Sequence, residues 1–301
     1  MKKISIIMLV ALIGIVSFSM VGSAQDLEGS VKIDGSSTVY PITQAMAEEF
    51  SYVNSKVRVT VGVSGTGGGM EKFTIGETDI SNASREIKDS ELAKTKENGI
   101  AITRFTVAYD GITVVVNPEN DWANDITVEE LQKIWEPGSS VETWSDVRPE
   151  WPNEEIELYG PGADSGTFDY FTGAIVGNES ESRADFTASE DDNVLVQGVA
   201  GSKYALGYFG YAYFEENQNK LKALTINGVK PTPENIESDK YTPLSRPLFI
   251  YVNDASVKRI EVEAFLNFYF ENARELIPMV GYVPLTSYED QLDKVEELAN
   301  N

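Results

Sequence analysis

The chain predicts an α/β protein built as two lobes. Three observations carry that expectation. From residue 31 to residue 116, strand-like and helix-like stretches alternate as β-α-β-α-β, the order that builds a mainly parallel sheet. A second α/β series follows from residue 157, and the last helices read as a return to the first lobe. The length of 301 residues, or 277 once a leader of 24 is set aside, exceeds one small core and suits two units of ordinary domain size.

The leader comes first. Met1-Lys2-Lys3 precedes an apolar run over 4–21 that ends in Gly22-Ser23-Ala24, the pattern of a secretory signal peptide cleaved after Ala24. A retained membrane anchor is the competing reading, because the run is near the length of a span. With no cysteine in the chain, a lipid-bearing cysteine cannot anchor it, so a soluble protein of the periplasm is expected.

The elements follow in order. Residues 31–33 form a short strand, and 37–50 form a helix with Pro41 in its first turn. Residues 57–63 alternate with β-branched side chains and predict a strand. A glycine turn then leads into a helix over 68–75. Asp79-Ile80 ends a strand that runs into Ser81-Asn82-Ala83-Ser84-Arg85. Strands are expected at 100–108 and 112–116, then a helix over 127–135 with Glu129 and Glu130 in its first turn. A Pro/Trp-rich loop fills 144–152. Beyond it come a strand at 157–159, a helix at 165–176, an acidic stretch at 177–192, a helix at 193–200 and a strand at 205–209. Strands at 221–226 and 248–252 precede C-terminal helices at 257–272 and 287–298.

Composition excludes whole classes of function. No cysteine means no disulfide, thiolate metal site or thiol nucleophile. No histidine removes the commonest general base and the commonest zinc ligand, which weighs against hydrolases and zinc enzymes. A net charge of −24, or −26 without Lys2 and Lys3, argues against a nucleic-acid partner. Such acidity usually means a solvated surface. Screening over about 8–10 Å still leaves room for a locally positive pocket.

Three Ser/Thr-Gly segments each follow a strand and open a helix: Asp34-Gly35-Ser36-Ser37-Thr38-Val39, Ser64-Gly65-Thr66-Gly67-Gly68-Gly69 and Asp164-Ser165-Gly166-Thr167. Free N–H groups and the positive end of the helix dipole make such turns anion sites, and the hydroxyls add donors. One alone is an ordinary capped helix; three suggest a site assembled around one small oxyanion. The glycine segment is neither a Walker loop, since Met70-Glu71 follow Gly69, nor a dinucleotide fingerprint. Without histidine no ordinary catalytic triad can form. Arg85 offers a planar fork of donors for a tetrahedral anion, or alternatively a surface ion pair. Asp164 is a helix-cap candidate or, more sharply, an acceptor that tests whether the ligand carries a proton. The acidic run 189–193 lacks the spacing of a calcium loop and reads as a solvated cap.

Taken in order, these segments resemble the periplasmic phosphate-binding proteins of phosphate ABC importers. Gly35-Ser36-Ser37-Thr38-Val39-Tyr40-Pro41 is similar to the first phosphate loop of that family, Ser64-Gly65-Thr66-Gly67 to the second and Ser165-Gly166-Thr167 to the third. Ser84-Arg85, Ala205-Leu206-Gly207-Tyr208 and Gly281-Tyr282-Val283-Pro284-Leu285 match as well. The resemblance implies a type II two-lobed clamp, with lobe 1 over 25–112 plus 251–301 and lobe 2 over 113–250. It implies no enzyme activity and no cofactor or metal, but binding of inorganic phosphate by a monomer that delivers it to a membrane-embedded permease. The ligand residues carried over are Ser37, Thr38, Val39, Ser64, Thr66, Ser84, Arg85, Asp164, Ser165, Gly166 and Thr167. The family's arginine before the third loop is Pro161 here, so Arg85 is expected to supply the positive charge, with Arg183 in reserve. Asp34 and Asp79 are the alternatives to Asp164 as proton acceptor. Sulfate, arsenate or molybdate binding, or a phosphatase-like enzyme, are the competing readings.

Overall fold

The structure, a computed structural model, describes residues 27–163 and 165–301. The expected leader and Asp164 lie outside the described residues. Strand β1 (Gly29–Gly35) leads through a turn to helix α1 (Tyr40–Val53). Pro41 starts that helix, and Ile42, Met46, Ala47 and Phe50 recur on one face and are buried. Strand β2 (Val57–Val61), helix α2 (Gly65–Phe73) and strand β3 (Ile80–Ala83) follow. Both β2 and β3 pair parallel with β1. All three strands therefore point the same way, and the three turns Ser36–Val39, Gly62–Ser64 and Ser84–Arg85 emerge side by side at their C-terminal ends.

Helix α3 (Asp89–Glu97) was not expected. Only Thr95 on it is buried, so the segment carries no apolar stripe to betray its period. The two strands expected at 100–108 and 112–116 are one, β4 (Ile102–Val116). Its first half pairs with a return strand and its second half with the other lobe.

Beyond β4 lie β5 (Asp125–Ile126), α4 (Val128–Trp135), a short α5 (Trp144–Val147) and β6 (Glu157–Pro161). Thr127 caps α4 by accepting from Glu130 N at 3.2 Å, while the Glu130 carboxylate accepts from Thr127 N at 2.8 Å. The helix expected over 165–176 is α6 (Gly166–Phe171), which widens into a π turn at Thr172–Val176. Thr172 Oγ1 donates to Phe168 O at 2.8 Å, and Gly177 ends the turn at φ +100°.

Then come β7 (Thr187–Ser189), α7 (Asp192–Gly201), β8 (Ala205–Gly210) and α8 (Tyr211–Glu216). The strand expected over 221–226 is split into β9 (Lys222–Ala223) and β10 (Thr225–Ile226), and α9 (Pro233–Glu237) follows. The chain returns through β11 (Ser245–Asn253), α10 (Asp254–Val257), α11 (Ile260–Met279), β12 (Val283–Pro284) and α12 (Glu289–Asn300).

The main path of the sheet runs β2-β1-β3-β11-β4-β8-β6-β7. The parallel trio β6, β7 and β8 forms the second half. Two apolar cores flank the change of partner on β4. One gathers Ile33, Phe50, Phe105, Leu248, Ile250 and Phe265. The other gathers Ile112, Trp135, Trp144, Phe171, Tyr208 and Leu244. Within the second core, Phe171 stacks on Tyr208 with centroids 3.6 Å apart. No helix among the described residues is long and apolar enough to cross a membrane.

Candidate functional site

Gly35 ends β1 at φ +143°, and a Cβ there would stand 2.2 Å from Asn82 O. Gly69 on α2 is equally constrained, since its Cβ would fall 2.4 Å from Gly35 Cα. The strand end and the glycine helix are thus in backbone contact, which no larger side chain permits. Ser36 N donates to Asn82 O at 3.0 Å and Ser64 N to Gly35 O at 3.2 Å. These bonds fix the three turns against one another. Thr66 Oγ1 accepts from Ser84 N at 3.2 Å and lies 3.2 Å from Ser84 Oγ, which stitches the second segment to the Ser-Arg turn.

These turns form one wall of a cavity of about 310 Å3. That wall holds Ser36, Ser37, Thr38, Gly65, Thr66, Ser84, Arg85 and Arg246. The opposite wall holds Gly166, Asp169, Tyr170 and Glu179 from the second core's side. The walls touch, because a Cβ on Gly166 would lie 3.4 Å from Thr38 Oγ1.

Of the residues expected at the site, Ser37, Thr38, Thr66, Ser84, Arg85 and Gly166 line this cavity. Val39, Ser64, Ser165 and Thr167 do not. Val39 is fully buried in the first core. Ser64 Oγ turns away to donate to the Asp34 carboxylate. Ser165 Oγ caps α6 by accepting from Thr167 N at 3.2 Å. The third segment therefore contributes backbone at Gly166, while its hydroxyl organises its own helix.

The two substitute carboxylates are committed elsewhere. Asp34 sits beneath the glycine segment and accepts from Lys72 Nζ at 2.5 Å. Burial opposes its ionisation, but the bonds from Lys72, Ser64 and Gly35 hold its carboxyl below the ordinary range. Asp79 precedes β3, at the far end of the strand from the cavity. There it accepts from Lys32 N at 2.9 Å and Ser256 Oγ at 2.8 Å. The reserve cation, Arg183, is also engaged elsewhere. Its Nε and Nη2 pair with Asp185 at 2.6 and 2.7 Å, and its Nη1 donates to Ile134 O and Val141 O at 3.0 and 2.8 Å. It ties the end of α4 to the following loop and does not line the cavity.

Arg85 is in the wall but held by a carboxylate. Its Nη1 and Nη2 donate to Glu91 Oε2 and Oε1 at 2.9 and 2.8 Å, and Nη1 also reaches Glu86 O at 2.9 Å. The Glu91 bonds push the guanidinium's pKa up. Burial works against the Glu91 carboxylate, yet Arg85 and Lys88 N keep its pKa below the ordinary value.

Arg246 is the residue that sequence reasoning missed. It stands at the start of β11, and its Nε and Nη2 donate to Asp110 Oδ2 at 3.2 and 3.1 Å. Its Nη2 also lies 3.3 Å from Thr38 Oγ1, and its guanidinium carbon sits 3.8 Å from the centre of the Tyr170 ring. Tyr170 is positioned by its own hydroxyl, which donates to Pro243 O at 2.8 Å. Asp110 is buried, and burial pushes its carboxyl up while Arg246 pulls it down. A faint signal existed: Ser245-Arg246 repeats the Ser84-Arg85 dipeptide at a strand terminus.

Comparison with known proteins agrees with this geometry. The model of the PBP superfamily domain matches residues 22–273. Protein SphX of Synechocystis sp. is 48% identical over 273 residues, covering 88% of this chain and 81% of that one. Phosphate-binding protein PstS of Staphylococcus saprophyticus is 40% identical over 279 residues, covering 90% and 86%. A crystal structure of "a possible phosphate binding protein" from Planctomyces limnophilus superposes with a TM-score of 0.82 at 48% identity, covering 91% of this chain and 98% of that one. A two-lobed α/β frame, serine- and threonine-bearing turns converging on one cleft, and this shared sequence place the chain in the PBP superfamily, in the family that includes SphX and PstS.

Proposed function

We propose that this chain binds inorganic phosphate in the cleft and delivers it to the membrane permease of an ABC importer. The observation that carries the reading is the cleft wall itself. Hydroxyls of Ser37, Thr38, Thr66 and Ser84 surround a cavity that also holds two guanidiniums. That donor set fits a tetrahedral oxyanion. The relatives named as phosphate-binding proteins supply the choice of phosphate among oxyanions. They are binding proteins by name, and the site residues proposed here are donors and charges rather than a nucleophile with its base. The protein binds and releases; it does not turn a substrate over.

The same reading assigns the mechanical parts. Lobe 1 comprises 27–111 and 245–301, and lobe 2 comprises 112–244. The return boundary moves from 251 to 245 because Leu248 and Ile250 pack in the first core whereas Leu244 packs in the second. The two crossings, near Gly111 and Ser245, act as a hinge, so a ligand that touches both walls drives closure. Asp169 and Glu179 on the second wall are the candidates for the proton acceptor, together with Asp164, the residue expected from the sequence. A carboxylate there accepts from a protonated phosphate and repels fully ionised sulfate. Export through the leader, action as a monomer and the periplasm as workplace complete the proposal.

Calorimetric titration of the protein with phosphate and sulfate tests it. Saturable phosphate binding at one site, with sulfate far weaker, is the expected result. Equal or preferential sulfate binding, or hydrolysis of a generic phosphate ester, would overturn it.

A further inference from the structure

We propose that Arg246, not Arg85, carries the principal ion pair to the bound anion and couples that charge to lobe closure. The proposal rests on the phosphate reading and assigns its charge. The two cleft arginines differ in what they have left to offer. Both Nη groups of Arg85 are engaged by the two oxygens of Glu91, a carboxylate on the same lobe. That fork-to-fork pair already matches the geometry an oxyanion would want. Arg246 uses Nε and one Nη on a single oxygen of Asp110. Among the described residues its Nη1 has no hydrogen-bond partner, and the side chain lines the cavity.

Position separates them further. Among the described residues, the hydrogen bonds of Arg85 stay within its own lobe, at Glu86 and Glu91. Arg246 stands where β11 begins beside the Gly111 crossing, with Ser245 opposite Gly111 in register. It reaches Thr38 on the first wall and lies on the Tyr170 face of the second. The cation–π contact joins the two walls in this structure. An anion on the guanidinium and an aromatic face beneath it thus favour the same closed state, which is the differential interaction closure requires. Asp110 positions this cation: buried beneath it, it fixes the fork and keeps it from folding back over the cleft.

The test uses the full soluble protein, inorganic phosphate, calorimetry for affinity and stopped-flow dilution for the dissociation rate. Thermal melting checks that each variant folds. Arg246→Ala is expected to lose at least a hundredfold in affinity and Arg85→Ala less than tenfold. Tyr170→Leu, which removes the ring, is expected to raise the dissociation rate several-fold with little change in association, whereas Tyr170→Phe keeps the parent rate. If Arg246→Ala does not fold, Arg246→Lys reads the same question, because it keeps charge but loses the fork and is expected to fall at least tenfold. Parent protein that binds phosphate while Arg246→Ala or Arg246→Lys binds within threefold of it overturns this inference alone. Parent protein that fails to bind phosphate overturns the function on which it rests. A larger loss for Arg85→Ala than for Arg246→Ala reverses the assignment.

Discussion

The two walls of the cleft are built from different materials. The first-lobe wall is backbone and hydroxyl, with glycine contacts so close that Gly35 and Gly69 admit no Cβ, and it carries both arginines. The second-lobe wall presents one glycine, one aromatic ring and two carboxylates, Asp169 and Glu179. Asp169 is itself held by Ser180 Oγ at 2.5 Å, while Glu179 is exposed. The difference implies an order of events. On the proposed function, an anion is expected to be captured on the first wall, where the donors are, before the second wall closes over it. In so acidic a protein both cleft arginines stand on one wall, each beside a carboxylate of its own, Glu91 for Arg85 and Asp110 for Arg246.

The strongest way to break this comparison is to spoil the first wall's backbone contact. Gly69→Ala places a methyl carbon 2.4 Å from Gly35 Cα. Overpacking of this kind costs about 1–3 kcal/mol and displaces the Ser36–Val39 turn. Calorimetry and thermal melting should show both weaker phosphate binding and a lower melting temperature. Gly166→Ala, on the second wall, faces only a 3.4 Å contact with a threonine hydroxyl and should melt like the parent. Equal melting of both variants with the parent would refute the contrast.

A smaller effect concerns acid. The carboxyl of Glu91 is held below its ordinary value of 4.5 despite its burial, because Arg85 and Lys88 N bond its charged form. A depressed carboxyl contributes stability that is present above the ordinary value and is lost as pH falls through the lower, folded one. Melting temperature against pH should therefore fall more steeply below about pH 4.5 for the parent than for Glu91→Gln. Parallel acid limbs would mean that the Arg85–Glu91 pair contributes nothing to stability.

The smallest effect is at the exposed edge of the second wall. Glu179→Gln removes a solvent-facing charge whose influence on a neighbouring anion is worth about 0.2–1 kcal/mol. Phosphate affinity should rise by a few-fold in dilute buffer, and the gain should vanish in molar salt. A loss of affinity instead would make Glu179 an acceptor for the ligand's proton.

Much of the first wall was legible because its signals are local. A strand followed by Ser/Thr and Gly, then an amphipathic run with Pro41 at its start, needs no distant partner to be recognised. Helix α4 was legible for the same reason, although the residue expected to begin it, Thr127, is its cap. The charge of the site was not. Asp110-Gly111 has the look of a turn and divided β4 into two expected strands, yet Asp110 is buried on a continuous strand and meets Arg246 across 136 residues of sequence. The Ser-Arg dipeptide hints at Arg246 itself, but nothing beside it announces the contact with Asp110. Likewise Arg183 and Arg85 look alike in the sequence, and only their partners separate a loop anchor from a cleft residue.

Capture on one wall followed by closure of the other is tested most directly by a distance between lobes. The chain contains no cysteine, so two introduced cysteines label cleanly. Val63, just before the glycine segment, and Val194, on α7, are 52% and 48% exposed and lie on opposite lobes. Spin labels at these positions should give a longer, broader distance distribution without phosphate and a shorter, narrower one at saturation. The same shortening should be absent when Arg246→Ala is saturated at higher phosphate. An unchanged distribution in the parent at saturating phosphate would contradict closure and leave the cleft a rigid anion site.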